Sequence, residues 1–219
     1  PQWDISLYIN TDASSLIGSD TFENGEVKLR KGPILNCAVK GGFGVLDEIN
    51  MAKNESLAVL HAVLDFRRTI DLPGYDRINL HEATRFIGTM NYGYAGTREM
   101  NEALASRFMV LHMPVISAEN LQKLIKDKYP TLKPEYISQF ATLFDEIRKK
   151  CEGGEISTRS LDLRGLISCI GMMKKGLGVT KALQMGLINK CFDEYERQLV
   201  LDIVSARLPE SLLGESIFS

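Results

Sequence analysis

At Pro114 the spacing of apolar residues changes, and that change constrains the fold more than any single motif does. Before it, short apolar runs of strand length alternate with helical stretches. Residues 5–10 read as a strand. Pro33 suits the first turn of a helix over 34–40, because its ring presets φ and its missing N–H has no partner there anyway. Residues 43–49 (Phe-Gly-Val-Leu-Asp-Glu-Ile) are an apolar run ending in two carboxylates, the pattern of a buried parallel strand. Asn54 is a suitable cap for a helix through Phe66, with Leu57, Leu60 and Leu64 on one face. Leu-Pro-Gly within 69–82 separates two β-tending runs and predicts a hairpin. Residues 85–91 predict a further strand, 99–107 a helix, and 109–113 a last strand closed by Pro114.

Strands alternating with helices build a parallel α/β layer. Beyond Pro114 only the helical period is left, in 117–129, 134–151, 158–175, 180–191 and 193–208. Leu163, Leu166, Ile167 and Ile170 follow i, i+3, i+4, i+7, and Tyr195, Leu199 and Ile203 line one face of the last segment. The expected organisation is an α/β unit over 1–114 followed by an all-helical unit over 115–219. The chain has no internal repeat and no low-complexity tract.

Charge and composition exclude several classes. Lys and Arg total 26 against 28 Asp and Glu, a net charge of −2, and a dedicated nucleic-acid binder needs a basic excess. The longest apolar run, 166–173, is far shorter than the roughly 20 residues of a membrane span. No charged and apolar leader opens the chain. Cys37, Cys151, Cys169 and Cys191 stand far apart with no C-x-x-C pair, and His61, His81 and His112 are equally scattered, which suits neither a zinc site nor a disulfide framework. A reduced, cytoplasmic protein is the expectation. The chain begins at Pro1 in what reads as mid-sheet, which predicts a fragment.

Four features carry chemistry. Asp47-Glu48 ends an apolar strand, and parallel strands deliver their C-terminal residues to the crevice where α/β folds bind ligands. There one carboxylate can hold Mg²⁺ or its water while the other polarises an attacking water; a strand end facing solvent is the plain alternative. Asn91 ends the next predicted strand, where an amide can orient a water or touch a phosphate, or simply form a turn. Arg107 closes a helix and suits its dipole. Arg159 follows the candidate N-cap Ser157, where the dipole disfavours a cation unless an anion lies nearby or the side chain is well solvated.

Taken together these residues resemble a family. Gly-Phe-Gly-Val-Leu-Asp-Glu-Ile-Asn-Met-Ala (42–52) resembles a Walker B strand. Residues 88–108, Gly-Thr-Met-Asn-Tyr-Gly-Tyr-Ala-Gly-Thr-Arg-Glu-Met-Asn-Glu-Ala-Leu-Ala-Ser-Arg-Phe, resemble the sensor-1 and arginine-finger block of AAA+ ATPases. The best match is the MoxR-like and CbbQ/NirQ-type group, which shares features with dynein motor modules. Asp-Ala-Ser-Ser-Leu-Ile-Gly (12–18) and Lys-Gly-Pro-Ile-Leu (31–35) resemble segments preceding Walker B in that group, and the likeness covers about residues 5–175.

The resemblance implies ATP and Mg²⁺ as cofactors. Asp47 would hold the Mg²⁺ shell through water, Glu48 would polarise the lytic water, and Asn91 would be sensor 1. Arg107 would be the finger acting on nucleotide bound to the neighbouring subunit, and Arg159 the sensor-2 arginine of a helical lid. Arg98 would sit at the subunit boundary or simply on the surface. It also implies identical subunits in a ring, a hexamer as in relatives of this kind, a client protein remodelled or activated in chaperone-like fashion, and a von Willebrand factor A-domain partner.

One departure is large. No G-x-x-x-x-G-K-[ST] occurs, nor any Gly-Lys dipeptide. The family's P-loop follows its first strand, so the expected fold is a P-loop NTPase-type sheet lacking that strand, truncated before the P-loop. The family places the strand between the sensor-1 strand and the last one, and its loss exposes two edges prone to swapping or aggregation. The chain by itself is expected to bind ATP poorly. The alternative is a non-hydrolysing AAA+-like scaffold or interaction module. A DNA-translocating motor is a third reading that the acidic balance opposes. The 69–82 hairpin is either a substrate-facing element or a surface hairpin.

Overall fold

The computed structural model describes residues 1–91, 98–191 and 193–219, which divide into two units, Pro1–His112 and Met113–Ser219. In chain order the first unit runs β1 (Gln2–Ser6), α1 (Ala13–Ile17), β2 (Gly18–Glu23), β3 (Glu26–Lys31), α2 (Pro33–Lys40) and β4 (Gly42–Asp47). It continues with α3 (Asn54–Leu57), α4 (Leu60–Leu64), β5 (Thr69–Ile70), β6 (Ile78–Asn79), β7 (Thr84–Gly88) and α5 (Glu102–Ala105).

Strands β1, β4 and β7 form a parallel sheet in that order, with Ser6 opposite Asp47 and Leu46 opposite Gly88. Helix α2 begins with Pro33 at N1, as its sequence predicts, and packs Ile34, Leu35 and Ala38 against Ile5, Leu7 and Leu46. Gly44 is needed in β4, because a Cβ there would lie 2.6 Å from the Phe86 ring on the neighbouring strand. The expectation of a strand buried on both faces is met on one face only. Gly44 and Leu46 are covered, whereas Phe43 and Ile87 on the opposite face are about half exposed.

Several boundaries differ from the sequence reading. Strand β1 lies earlier than 5–10, because Tyr8 and Thr11 close a turn: each backbone N–H donates to the other residue, Tyr8 to Oγ1 and Thr11 to the carbonyl, both at 2.9 Å. The helix expected over 54–66 is two short pieces. Lys53 takes the N-cap position, and the Asn54 side chain instead accepts from the Asn101 N–H. Residues 109–113 are not a strand. Met109, Val110, Leu111 and Met113 are exposed, and no strand pairs with them among the described residues, so β-tending side chains alone do not make a ladder.

The hairpin of β5 and β6 lies within 69–82 as expected, pairing Thr69 with Asn79 and Ile70 with Ile78. A second hairpin, β2 with β3, escaped the sequence reading. Its signal is Asn24-Gly25, both at positive φ (54° and 84°), the combination that a two-residue type I′ loop requires.

The second unit is helical: α6 (Ala118–Lys128), α7 (Pro134–Glu152), α8 (Leu163–Met173), α9 (Val179–Gly186) and α10 (Glu194–Ser205). Ser117, Asp162 and Asp193 cap α6, α8 and α10 through their side chains, and Pro134 opens α7. Leu121, Phe140, Phe144, Ile147, Leu166, Ile170, Leu183 and Val204 meet in one core. Helices α8 and α9 cross closely enough that a Cβ on Gly165 would lie 2.4 Å from the Gly186 carbonyl. Cys169 is enclosed there, its thiol donating to the Ala182 carbonyl at 3.0 Å, and burial pushes its pKa up to about 11.

The helix expected over 158–175 breaks in two. Thr158–Ser160 is a single 3₁₀ turn, and α8 starts only after Asp162, whose carboxylate accepts from the Gly165 N–H at 2.8 Å. Ser157 stands before the 3₁₀ turn without capping it, because its hydroxyl donates to Glu196 instead. Among the described residues no helix is long and apolar enough to cross a membrane.

Candidate functional site

The first two candidate residues stand where β4 ends. Its partner β7 ends at Gly88, and the pairing continues one step further: the Thr89 N–H donates to the Leu46 carbonyl and the Ile49 N–H to the Thr89 carbonyl, both at 2.9 Å. On the other side the Leu7 N–H donates to the Asp47 carbonyl at 2.9 Å. The backbone of Asp47 and Ile49 is thus held from both neighbouring chain segments, and Glu48 between them turns into the left-handed region (φ 57°, ψ 46°). A non-glycine residue there costs of order 1–2 kcal/mol, so the surroundings have to enforce it.

Thr89 supplies part of that enforcement. Its hydroxyl donates to Asp47 Oδ1 at 2.5 Å and accepts from the Glu48 N–H at 3.1 Å. Asn50, buried in the following 3₁₀ turn, donates from Nδ2 to the Asn91 carbonyl at 2.9 Å, while its own carbonyl accepts from the Arg98 N–H at 3.1 Å. The structure therefore brings Asp47, Glu48 and Asn91 to the same ends of two adjoining parallel strands, all three exposed. Residues 92–97 of the 88–108 block lie outside the described residues.

The donor set suits a hard cation reached through water. Among the described residues Asp47 Oδ2 carries no hydrogen bond, and no cluster of three or more His, Cys, Asp or Glu forms a closed cage. Asp47 is the residue that would hold a Mg²⁺ ion here, through one of the waters this ion usually keeps. The phosphates themselves are less well served: the sequence contains no glycine-rich cradle followed by lysine.

Arg107 lies beyond the end of α5, folded back on its own unit. Its Nη1 donates to the Ala103 carbonyl and its Nε to the His61 carbonyl at 3.3 Å, and Nη2 lies 3.6 Å from Asp65 Oδ2. Asp65 is also gripped by Arg67, at 2.6 Å from Nη2, and this ion pair holds its carboxyl down at about 2. Phe66, between Asp65 and Arg67, is 94% exposed. The helix expected over 99–107 is only Glu102–Ala105 and has no basic residue in its last turn, so Arg107 lies past it and touches it through the Ala103 carbonyl.

Arg159 belongs to the second unit and is exposed on the 3₁₀ turn rather than in the first turn of α8. Glu196 of α10 fixes the start of that turn, accepting the Ser157 N–H at Oε1 and the Ser157 hydroxyl at Oε2, both at 2.9 Å. Sequence reasoning missed Thr89, Asn50, Asp65 and Glu196. Only Thr89 had a usable signal, its place two residues before Asn91 in a block already singled out.

Known proteins resemble the chain as follows. The family model of the AAA domain, dynein-related subfamily, matches residues 3–108. An uncharacterized protein of Staphylococcus saprophyticus is 32% identical over 210 residues, spanning 93% of this chain and 80% of that protein. One of Staphylococcus aureus is 31% identical with the same coverage. The solved structure of NtrX from Brucella abortus overlays all of this chain and 43% of its own with 16% identity and a TM-score of 0.45.

Proposed function

Because the chain belongs to the AAA+ ATPase family, with the dynein-related AAA domain over residues 3–108, we propose that it is a subunit coupling ATP hydrolysis to the remodelling or activation of a partner protein. The observation that carries the reading is the grouping of Asp47, Glu48 and Asn91 at adjoining strand ends, with Thr89 tying the two carboxylate residues and Asn50 holding the Asn91 carbonyl. In this reading Asp47 orients a water of the Mg²⁺ shell and Glu48 draws the proton from the attacking water. Asn91 fixes that water or the terminal phosphate. Mg²⁺, when bound, neutralises charge on the phosphates. Phosphoryl transfer needs little more than such positioning and charge stabilisation.

Arg107 extends the site to a second subunit. To serve a neighbour it has to leave the Ala103 and His61 carbonyls, and Arg67 then retains Asp65, so no carboxylate is stranded. Ring assembly follows from that division of labour, and the family resemblance supplies the hexamer as the proposed stoichiometry. Arg159, set by Glu196 and Ser157, is the residue through which the helical unit would sense nucleotide. A MoxR-like role on a client protein, together with a von Willebrand factor A-domain partner in the cytoplasm, completes the proposal.

The missing phosphate cradle favours a second reading, a non-hydrolysing scaffold that keeps the architecture without turnover. Hydrolysis requires a cradle contributed by residues other than these 219. The deciding experiment measures ATP hydrolysis by these residues together with those that supply the cradle, with and without Glu48→Gln. A loss of about 10²–10⁴-fold in the variant supports the ATPase. Turnover that ignores the substitution, or no ATP binding and no turnover in either protein, leaves the scaffold.

A further inference from the structure

We infer that Thr89 is a positioning residue that sets both carboxylates of the site through one hydroxyl; this rests on the roles of Asp47 and Glu48 proposed above. A hydroxyl has a single proton and lone pairs to accept with. Here the proton goes to Asp47 Oδ1 at 2.5 Å, and a lone pair takes the Glu48 N–H at 3.1 Å. The two bonds do different things. The first occupies one oxygen of Asp47 and restricts its rotation, so that Oδ2 is the atom presented to a metal-bound water. The second gives a partner to an N–H that the strand ladder no longer serves, and so holds Glu48 in its left-handed conformation (φ 57°).

The position of Thr89 makes the hydroxyl effective. Its backbone is fixed by the Leu46 carbonyl and the Ile49 N–H, both at 2.9 Å, so the side chain projects from a rigid strand end rather than from a loose loop. Asp47 and Thr89 are 42 residues apart and meet only because β4 and β7 are adjacent and parallel. A purely structural tie would need just one of the two bonds. Sharing the hydroxyl couples the metal-side carboxylate to the water-side one, so loss of the hydroxyl disturbs both together.

Thr89→Val keeps the shape and removes the hydroxyl, and Thr89→Ser keeps the hydroxyl. Two measurements test the inference, the first on this chain and the second on the protein together with the residues that supply its phosphate cradle. Amide hydrogen exchange at Glu48 is expected to quicken about 2–10-fold in Thr89→Val, as the loss of one hydrogen bond implies, and to stay near wild type in Thr89→Ser. The Mg²⁺ concentration for half-maximal ATP turnover is expected to rise about 10–100-fold in Thr89→Val, with Thr89→Ser restoring it. Unchanged exchange overturns the hydroxyl's hold on Glu48. Faster exchange with unchanged Mg²⁺ dependence overturns the positioning role and leaves a structural tie. Glu48→Gln runs alongside: if it leaves turnover intact or there is none to lose, the proposed function fails and takes the positioning role with it. If Glu48→Gln abolishes turnover while Thr89→Val matches wild type, the inference alone fails.

Discussion

The two units solve the same problem in opposite ways. In the helical unit, Met113–Ser219, every long helix pairs its backbone within itself and turns an apolar face into one core, so Phe140, Leu143, Ile147 and Ile170 are sealed. In Pro1–His112 a three-stranded sheet holds the candidate site, and its strands need neighbours to pair with. Strands β1 and β7 each have a single partner among the described residues, and the apolar residues Phe43, Ile87, Met109 and Leu111 stand in solvent. Helices carry their hydrogen bonds with them, whereas a sheet borrows them from adjacent chain. The site sits in the unit whose strand edges stand open among the described residues, and its proposed finger would make it depend on another subunit.

The largest expected effect tests that dependence. Arg107→Ala should lower ATP turnover by about 10³–10⁵-fold if the finger works across subunits. Mixing Arg107→Ala with Glu48→Gln should then restore part of the activity, because some interfaces receive an intact arginine from one chain and an intact glutamate from the other. Mixtures no more active than the variants alone would place Arg107 in a purely local role, the one its Ala103 and His61 contacts already describe.

The next effect separates the units by stability. Phe140→Ala empties a fully buried position in the helical core and should cost about 3–5 kcal/mol in denaturant unfolding. Phe43→Ala on the half-exposed sheet face should fall within about 0.5 kcal/mol. Equal costs would mean that Phe43 is covered in solution and that the contrast between the units is false.

A smaller effect compares one substitution in both places. Gly25→Ala meets open space and pays only for a left-handed residue, about 1 kcal/mol. Gly165→Ala drives a methyl against the Gly186 carbonyl, where α8 and α9 would have to part, and should cost more. A Gly165→Ala protein as stable as Gly25→Ala would show that the helical unit packs less tightly than its crossing indicates.

How much was legible follows the same division. Helical periodicity is local, so α6, α7 and α10 lie where spacing puts them; the break within 158–175 comes from Asp162, which caps α8 four residues ahead of the apolar run at 166–173. Strand assignments depend on partners the spacing does not contain, which is why 109–113 looks like a strand and is none. The grouping of Asp47, Glu48 and Asn91 was readable because parallel strands deliver their C-terminal ends to one edge. The shared hydroxyl of Thr89 was not, since it arises only once β4 lies beside β7, and neither was the Asp65 contact to Arg107. Asn24-Gly25 is a local hairpin signal that the sequence carries by itself.

The smallest effect concerns Asp65, whose carboxyl is held at about 2, chiefly by hydrogen bonding to Arg67. An unfolded aspartate titrates near 3.9, so the native pKa is the lower one. A carboxylate of this kind contributes its stabilisation fully above the unfolded value and loses it as pH falls through the native one. The thermal midpoint of wild type should therefore exceed that of Asp65→Asn by a constant margin from neutrality to about pH 5, and the margin should close between about pH 4 and 2. The Arg67 side of the pair is half exposed, so the margin should also shrink with added salt. A margin independent of pH would mean that Asp65 acts through packing or neutral hydrogen bonds. Arg67 would then no longer account for how Asp65 would stay satisfied if Arg107 acts on a neighbouring subunit, as proposed.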